Sequence, residues 1–456
     1  MKRLLAMLLT LICFLTVFVS CSDDVAGDVL PSEKPLESDA STDSLIDSDN
    51  IEDETDLNDA DNIENPEETV KPVFNGKEST SGLKFSLNPD GLGYTVIGKG
   101  SASAKDIVID GHDGLPVTKI GYAAFEGNNS ITSVKIGDSV EIIEDYAFSQ
   151  CPYLNSVSMG SGVREIGVYA FRYCTALKAI TLGKNVQYIR YGAFYNSKNL
   201  ATINLPDTLR CTEVYAFDKT AYFTTSSNWK NKVLYIGKHL IKAKSDITGK
   251  VTVAANTLSI ADKAFDGCAQ FNEIVIPDSV RGIGARAFQN ATKLTKISMG
   301  RGIEYMGEKA FEKSGFFNAS ANWKGNVLYV GNCVVAAKPA LSGICAINNG
   351  TRVISDMAFN SCTVLASVAI PDSVVYVGEY AFVNCERLSS VTVGSGVKEI
   401  GIYAFKGCSS LREITLNKKT GWTVGGIQIP ENKISSKTEA VTNIAMIYSD
   451  KAWKCS

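Results

Sequence analysis

The dipeptide Ala-Phe returns along this chain at a nearly constant interval, and this periodicity restricts the fold more than any other feature. The phenylalanines are 23 residues apart except across two gaps of 48, and stand at 125, 148, 171, 194, 217, 265, 288, 311, 359, 382 and 405. A fixed period in the twenties is typical of a solenoid, in which no single coil can bury its own apolar residues. We therefore expect stacked coils that share one continuous core.

A single unit, "AFRYCTALKAITLGKNVQYIRYG" at residues 170–192, shows the pattern within each coil. Leu177, Ile180 and Leu182 alternate with polar residues at the period of a β-strand, and Gly183 then ends the strand. Val186 and Ile189 indicate a second short extended segment. The sequence thus predicts a predominantly β repeat solenoid, with the repeats spanning residues 115–416.

The two 48-residue intervals resemble each other. "YFTTSSNWKNKVLYIGKHLIKAK" (222–244) matches "FFNASANWKGNVLYVGNCVVAAK" (316–338) at an offset of 94 residues. A glycine that opens a two-residue loop suits a type II′ hairpin, so Gly237-Lys238 and Gly331-Asn332 predict inserted β-hairpins near 218–250 and 312–344. Solenoid ends need caps, and we expect them at 81–114 and 417–456.

The first part of the chain differs from the rest. Residues 1–20 combine Lys2 and Arg3 with an apolar run and predict a secretory signal peptide. The following Cys21 closes a segment that resembles a bacterial lipobox, which implies cleavage and lipid attachment at Cys21; ordinary signal-peptidase cleavage nearby is the alternative. Residues 22–70 hold 18 acidic residues and one lysine, whereas residues 71–456 hold 42 basic and 31 acidic residues. We predict that 21–80 forms a lipidated, acidic, disordered tether.

The sequence offers little support for catalysis. The chain has only two histidines and no CxxC pair, which argues against a histidine triad or a zinc site. Glu144, Glu165 and Glu399 are expected at repeat surface positions, without a pocket. We predict no enzyme activity, no cofactor, no metal and no nucleic-acid partner.

Cysteines recur three residues after the Phe of a unit, as at Cys174, and could suggest a reactive site. The same position holds Ala291 and Ser314 in other units, and a catalytic nucleophile could not change so freely. A buried structural role and mostly free thiols are therefore expected.

The residues that precede each Phe by two positions form the candidate binding surface. This surface consists of Tyr146, Tyr169, Tyr215, Tyr380 and Tyr403, with Arg286 and Lys309 in the middle units, and Arg172 beside Tyr169. Stacked tyrosines next to cations suit protein contacts, although a simple packing ladder with its phenol tips in water is the alternative. The polar side chains on the exposed face of the main strand, such as Ser156 and Thr202, are a second candidate surface.

Units such as "LNSVSMGSGVREIGVYAFRYC", together with "NWK…VLYIG" and the terminal "AWKCS", resemble BspA-like, treponemal-type leucine-rich-repeat proteins of bacterial surfaces over residues 82–456. The resemblance implies right-handed coils in a curved solenoid that is exposed on a cell surface, and adhesin-like binding of host or neighbouring-cell proteins. Ser22 after the lipobox-like Cys21 resembles a signal for onward transport, which implies lipid anchoring in the outer membrane. A glycan-binding module of a nutrient-capture system and a structural envelope protein are the alternatives.

Overall fold

The computed structural model describes residues 74–455. The predicted signal peptide, Cys21 and the whole acidic stretch of residues 22–70 lie outside the described residues. Elements are numbered in chain order. The first part of the chain forms β1 (Lys84–Leu87), β2 (Tyr94–Gly98), β3 (Asp106–Ile109), β4 (Gly111–His112), β5 (Leu115–Ile120), β6 (Ser133–Ile136), β7 (Ile142–Ile143), β8 (Ser156–Ser158), β9 (Glu165–Ile166), β10 (Ala179–Thr181), β11 (Tyr188–Ile189), β12 (Thr202–Asn204) and β13 (Cys211–Thr212).

The middle of the chain contains the first long interval and the coils after it. It forms α1 (Ala221–Thr224), a 3₁₀ turn (Ser226–Asn228), β14 (Trp229–Lys230), β15 (Val233–Ile236), β16 (His239–Ala243), β17 (Gly249–Thr252), β18 (Ser259–Ile260), β19 (Phe271–Ile276), β20 (Gly282–Ile283), β21 (Lys296–Met299) and β22 (Tyr305–Met306).

The last part begins with the second long interval. It forms α2 (Gly315–Asn318), a 3₁₀ turn (Ser320–Asn322), β23 (Trp323–Lys324), β24 (Val327–Val330), β25 (Cys333–Ala337), β26 (Gly343–Ala346), β27 (Val353–Ile354), β28 (Leu365–Ile370), β29 (Tyr376–Val377), β30 (Ser390–Val393), β31 (Glu399–Ile400), β32 (Glu413–Leu416), β33 (Trp422–Val424), β34 (Ile427–Gln428), a 3₁₀ turn (Glu431–Lys433), α3 (Lys437–Val441), a π-helical stretch (Thr442–Ile447) and β35 (Trp453–Cys455).

Two sets of parallel strands run along the solenoid, and each coil adds one strand to each set. The long-strand face consists of the ladders β3-β6-β8, β10-β12, β17-β19-β21 and β26-β28-β30-β32. The short-strand face consists of β2-β5-β7-β9-β11-β13, β16-β18-β20-β22 and β25-β27-β29-β31. Pairing follows the 23-residue period, since Tyr188 lies between Glu165 and Cys211. The predicted β solenoid of stacked coils is confirmed.

The repeated apolar residues fill the interior between these faces. Leu177, Ile180, Val186 and Ile189 of one coil are 2% exposed or less. Each such side chain contributes about 2 kcal/mol when it is removed from water. The phenylalanines stack in register, with Phe148 and Phe171 rings 5.2 Å apart and inclined by 10°. An aromatic column therefore joins neighbouring coils, in three runs that the two inserts separate: Phe125 to Phe217, Phe265 to Phe311 and Phe359 to Phe405.

Each long interval lays an antiparallel hairpin into the short-strand face. In the first, β15 pairs with β16 around Gly237, which has a φ of 57°, and β16 then pairs in parallel with β18. Trp229 Nε1 donates to the Phe223 carbonyl at 2.8 Å and fixes the preceding turn. Because the hairpin does not extend the long-strand face, that face is interrupted at each insert.

The solenoid is so strongly curved that distant coils meet on its inner side. Arg210, beside β13, donates from Nη1 to the Glu399 carboxylate in β31 at 3.1 Å. A Cβ on Gly282 would lie 2.5 Å from the Arg210 carbonyl oxygen, so only glycine allows β13 and β20 to approach this closely. The short-strand face therefore lies on the inside of the curve.

Candidate interaction surface

The Ala-Phe turns form a third edge of the coil, and their backbones are paired from one coil to the next. The N–H of Phe148 donates to the Ala170 carbonyl at 2.8 Å, and the N–H of Phe171 donates to the Ala193 carbonyl at 2.7 Å. These hydrogen bonds hold every turn in the same orientation. The side chains at equivalent turn positions are thereby aligned in rows along the solenoid.

The row two positions before the Phe adopts a left-handed backbone. The φ angles of its predicted site residues lie between 52° and 61°, in Tyr146, Tyr169, Tyr215, Arg286, Lys309, Tyr380 and Tyr403. A side-chain-bearing residue loses roughly 1–2 kcal/mol in this conformation, which glycine adopts freely. Large side chains are therefore present at positions where the backbone alone favours glycine.

The first five coils bring seven tyrosines together into one surface, here called the tyrosine surface: Tyr122, Tyr146, Tyr169, Tyr173, Tyr191, Tyr195 and Tyr215. Ring centroids along it are separated by 5.7 Å (Tyr122–Tyr146), 5.5 Å (Tyr146–Tyr169), 5.3 Å (Tyr169–Tyr191) and 5.4 Å (Tyr191–Tyr215). Aromatic pairs at such separations attract each other. The rings therefore form a continuous and partly preordered contact surface.

The centre of the tyrosine surface depends on one glycine. Gly192 occupies the row position that tyrosine fills in neighbouring coils, and a Cβ there would lie 2.4 Å from Cε1 of Tyr169. The Tyr169 ring therefore lies over Gly192, while Tyr191 and Tyr195 supply the rings of that coil. The sequence pattern did not point to Tyr191, Tyr195, Tyr122 or Tyr173, because none of them stands two positions before the Phe of its unit.

Two cations lie against these rings. The Arg172 guanidinium is 4.7 Å from the Tyr169 ring centre and 4.9 Å from that of Tyr173. Lys219 Nζ lies 5.2 Å from the Tyr195 ring. Cation–π contacts of this kind orient both partners. The surface thus combines apolar rings with positive charge.

The other predicted surface residues form separate groups farther along the row. Arg286 Nη2 pairs with Glu308 Oε1 at 3.0 Å, in the basic middle section that also contains Lys309. Tyr380 and Tyr403 lie 5.2 Å apart, with Lys406 Nζ 4.5 Å from the Tyr403 ring. In residues 74–455, no ring contact links these groups to the tyrosine surface.

Three tyrosines of this surface are neutral phenols at physiological pH. Partial burial raises the pKa of Tyr146, Tyr191 and Tyr215 above the ordinary value of 10.0. Three members are open to solvent, with exposures of 67% for Tyr122, 36% for Tyr191 and 48% for Tyr215. A partner can therefore reach these three side chains.

The cysteine column lies inside the solenoid rather than at a reactive surface. Cys174 is fully buried, is not in a disulfide, and donates from Sγ to the Phe148 carbonyl at 3.2 Å. Burial raises the pKa of the neighbouring Cys151 to about 12, so its nucleophilic thiolate form is scarce. Cys362, Cys385 and Cys408 are also free thiols in the structure.

The inner face contains a group of charges that the sequence did not reveal. Arg190 lies between Glu165 at 2.7 Å and Glu213 at 2.9 Å. The Glu399 side chain is only 14% exposed and lines a small cavity of about 200 Å³ with Arg210. The expectation that Glu399 lies at a surface position without a pocket is therefore wrong, because curvature turns this face inward. The Glu165 side chain stays 30% exposed.

Buried acids complete the inner group. Burial raises the pKa of Asp262 to about 7, and the carboxyl accepts hydrogen bonds from the Ala285 N–H and the Cys211 thiol. Asp356 accepts from the Tyr376 hydroxyl at 3.0 Å, and burial raises its pKa as well. Among the residues that the structure describes, no three His, Cys, Asp or Glu side chains are placed to hold a metal ion. These acids are structural partners within a tightly packed inner face.

The repeat architecture agrees with one family model. The BspA-type leucine-rich-repeat model matches six copies, over residues 105–224, 235–342 and 340–425. The chain belongs to the BspA-type leucine-rich-repeat family. Solved structures of this architecture come from bacterial surface proteins among others, and within residues 74–455 this BspA-type chain has no helix long and apolar enough to cross a membrane.

Three solved structures illustrate the similarity. A leucine-rich cell surface protein from Faecalibacterium prausnitzii is 22% identical, covering 76% of this chain and 95% of its own (TM-score 0.27). A leucine-rich-repeat protein from Bacteroides ovatus is 20% identical, covering 73% and 92% (TM-score 0.25). The T. pallidum leucine-rich-repeat protein is 18% identical, covering 72% and 88% (TM-score 0.23). The assignment to the BspA-type family depends on the match of the repeat model. No curated protein is significantly similar to this chain.

Proposed function

We propose that this protein is an exported, lipid-anchored surface protein that binds proteins of host or neighbouring cells without catalysis. One observation carries the proposal, namely the tyrosine surface with Arg172 and Lys219. Tyrosine and arginine are the residues that most often dominate the energy of protein interfaces. Their rings offer a large contact area, and few side-chain torsions have to be fixed on binding.

The backbone supports a binding role over simple packing. The core beneath the row is already filled by the stacked phenylalanines, and the tyrosines lie outside it. Four of them (Tyr146, Tyr169, Tyr173 and Tyr215) nevertheless occupy left-handed positions that favour glycine on backbone grounds. Residues in strained backbone conformations of this kind are found most often at binding and catalytic sites.

A binding panel tests the proposal directly. The full exported chain is immobilised and exposed to extracellular-matrix and cell-surface proteins, each before and after enzymatic removal of its glycans. Saturable binding that survives deglycosylation supports protein recognition. Uniformly negligible binding contradicts it, and binding that disappears with the glycans would assign the surface to carbohydrate instead.

Anchoring is a separate part of the proposal and has a separate test. Labelling with a radioactive fatty acid should mark the wild-type chain and leave the Cys21→Ser variant unmarked. Protease treatment of intact cells should remove the repeat region if it faces the medium. Labelling of the Cys21→Ser variant, or full protection from protease, would contradict this part.

A further inference from the structure

The two ends of the long-strand face are covered by other parts of the chain. At the first end, the Thr80 N–H donates to the Val108 carbonyl of β3 at 2.9 Å, and the Val108 N–H donates to Thr80 Oγ1 at 2.8 Å. At the last end, α3 packs against β32, and Lys437 Nζ contacts the Glu413 carboxylate at 2.9 Å. Covering an edge in this way prevents other strands from adding to it.

The edge that the first insert creates is not covered in this way. β17 is the first strand of the ladder β17-β19-β21, and no described strand pairs with its other side. Just after β17, the Val253 N–H donates to the carbonyl of Val275 in β19 at 3.0 Å. Since peptide groups alternate in direction along a strand, Lys250 and Thr252 direct their N–H and C=O groups to the open side. Both residues are exposed.

A groove of about 910 Å³ runs along this open edge. Its walls are held by hydrogen bonds, because the Tyr222 hydroxyl donates to the Tyr235 carbonyl at 2.8 Å and the Tyr235 hydroxyl accepts from the Ala254 N–H at 3.2 Å. A volume of this size is typical of sites that hold a ligand or a short chain segment. The open edge therefore faces a preformed space.

The groove carries positive charge. Its lining includes Lys230, Lys232 and Lys250 and contains no aspartate or glutamate. Lys232 and Lys250 pair with Asp246 at 2.9 Å and with Glu273 at 2.8 Å, two acids outside the lining. These ion pairs are solvent-exposed, so the lysines can turn to another carboxylate at little cost.

We propose that the open edge of β17 binds an extended, acidic segment of a partner protein, which adds to the sheet as a further strand. Backbone hydrogen bonds to Lys250 and Thr252 supply affinity, as in other cases of strand addition. The three lysines select carboxylate side chains on the added strand. This site is distinct from the tyrosine surface and does not depend on it.

The second insert provides an internal comparison. β26 is likewise the first strand of its ladder, and the Ile347 N–H donates to the Ala369 carbonyl at 3.0 Å, so Ile344 and Ala346 face its open side. Of the three lysines, the second insert keeps only one, since Lys324 is equivalent to Lys230. Asn326 stands in place of Lys232, and Ile344 stands in place of Lys250. The second edge thus has the backbone of the first without most of its charge.

Fluorescence anisotropy tests the proposal with the full exported chain. The probe is a labelled decapeptide of alternating threonine and glutamate, compared with a lysine-for-glutamate version and with a version N-methylated at alternate peptide bonds. Thr252→Pro removes an outward N–H that the β19 ladder does not use, and Ala346→Pro makes the same change in the second insert. Lys250→Glu reverses one charge in the groove.

We expect Thr252→Pro and Lys250→Glu to weaken binding of the acidic peptide at least tenfold and Ala346→Pro to change it less than twofold. The lysine and N-methylated peptides should bind at least tenfold more weakly than the acidic one. Undiminished binding of the N-methylated peptide, or of a folded Thr252→Pro variant, would overturn the proposal. If Thr252→Pro fails to fold, the affinities measured with Lys250→Glu and with the N-methylated peptide still test the proposal. A further variant replaces the 18 acidic residues of 22–70 by their amides. If the peptide binds only this variant, the chain's own acidic segment occupies the edge of β17, and the assignment to a partner protein is overturned.

Discussion

Arg210 and Glu399 are 189 residues apart, yet the Arg210 guanidinium donates to the Glu399 carboxylate at 3.1 Å and also contacts the Tyr188 hydroxyl at 3.4 Å. Their side chains are 30% and 14% exposed, respectively. The pair therefore joins the two halves of the solenoid across its inner face. Long-range closure of this kind makes the curvature a cooperative property of the whole repeat region.

This closure predicts an energetic coupling. A double-mutant cycle with Arg210→Met and Glu399→Gln, followed by urea unfolding, should give a coupling energy of about 2 kcal/mol, as expected for a partly buried, hydrogen-bonded pair. The exposed pair of Lys437 and Glu413 serves as the control and should give about 0.5 kcal/mol or less. Equal coupling in both pairs would show that the inner contact does not help to close the arc.

His239 should titrate far from an ordinary histidine. Its ring is buried, with Nε2 3.1 Å from the Pro206 carbonyl and Nδ1 2.8 Å from Ser259 Oγ. The carbonyl can only accept, so Nε2 carries the proton and Nδ1 accepts from the serine hydroxyl. Burial lowers the pKa of His239 from 6.5 to about 4.

Nitrogen-15 NMR of histidine-labelled protein measures this pKa directly, and His112→Gln leaves a single histidine signal. A depressed pKa contributes stability that is present above pH 6.5 and is lost as the pH falls toward 4. His239→Cys copies Cys333 of the second insert and should remove this acid sensitivity. A pKa near 6.5 for His239 would mean that the ring is hydrated and the hairpin is more loosely packed than described.

Asp262 should make the unfolding free energy depend on pH in the direction opposite to that of His239. Its folded pKa of about 7 is above the ordinary value of 3.8, so the folded state retains a proton that the unfolded state releases. This carboxyl therefore reduces stability as the pH rises from about 4 to about 7, by at most about 1.4 kcal/mol per pH unit. Asp262→Asn keeps an oxygen acceptor for the Ala285 N–H and should flatten the curve of unfolding free energy against pH. An unchanged slope in this variant would exclude Asp262 as its source.

Cys174→Ser should be nearly neutral, although the site is fully buried. In the next coil Ser197 occupies the same position, and its hydroxyl donates to the Phe171 carbonyl at 2.8 Å, just as the Cys174 thiol donates to the Phe148 carbonyl. We expect a loss of less than about 1 kcal/mol, because serine keeps the hydrogen bond. Phe171→Ala is the contrasting variant and should lose about 3–5 kcal/mol by opening a cavity in the aromatic column. Thermal unfolding compares the two, and a large loss for Cys174→Ser would show that the thiol has a role beyond packing.

Sequence reasoning reached the features that repeat and missed those that depend on the whole arc. The Phe171 column and the buried Cys174 follow from a local pattern that each coil copies. The contact between Arg210 and Glu399 depends on curvature summed over the intervening coils, and no single repeat records it. The tyrosine surface was found in part, because Tyr146 and Tyr169 share one turn position. Tyr191 and Tyr195 were missed because their coil has Gly192 at the turn position where neighbouring coils have tyrosine, and both tyrosines occupy other positions of that turn.

The central claim is that the tyrosine surface binds protein, and surface plasmon resonance on two matched double variants tests it most directly. Tyr169→Ala with Arg172→Ala removes one cation–π pair from the tyrosine surface, whereas Tyr403→Ala with Lys406→Ala removes a similar pair elsewhere on the row. Against any protein ligand from the binding panel, we predict at least a tenfold weaker affinity for the first variant and less than a twofold change for the second, with similar melting temperatures. Wild-type affinity in a folded Tyr169→Ala, Arg172→Ala variant would contradict the claim.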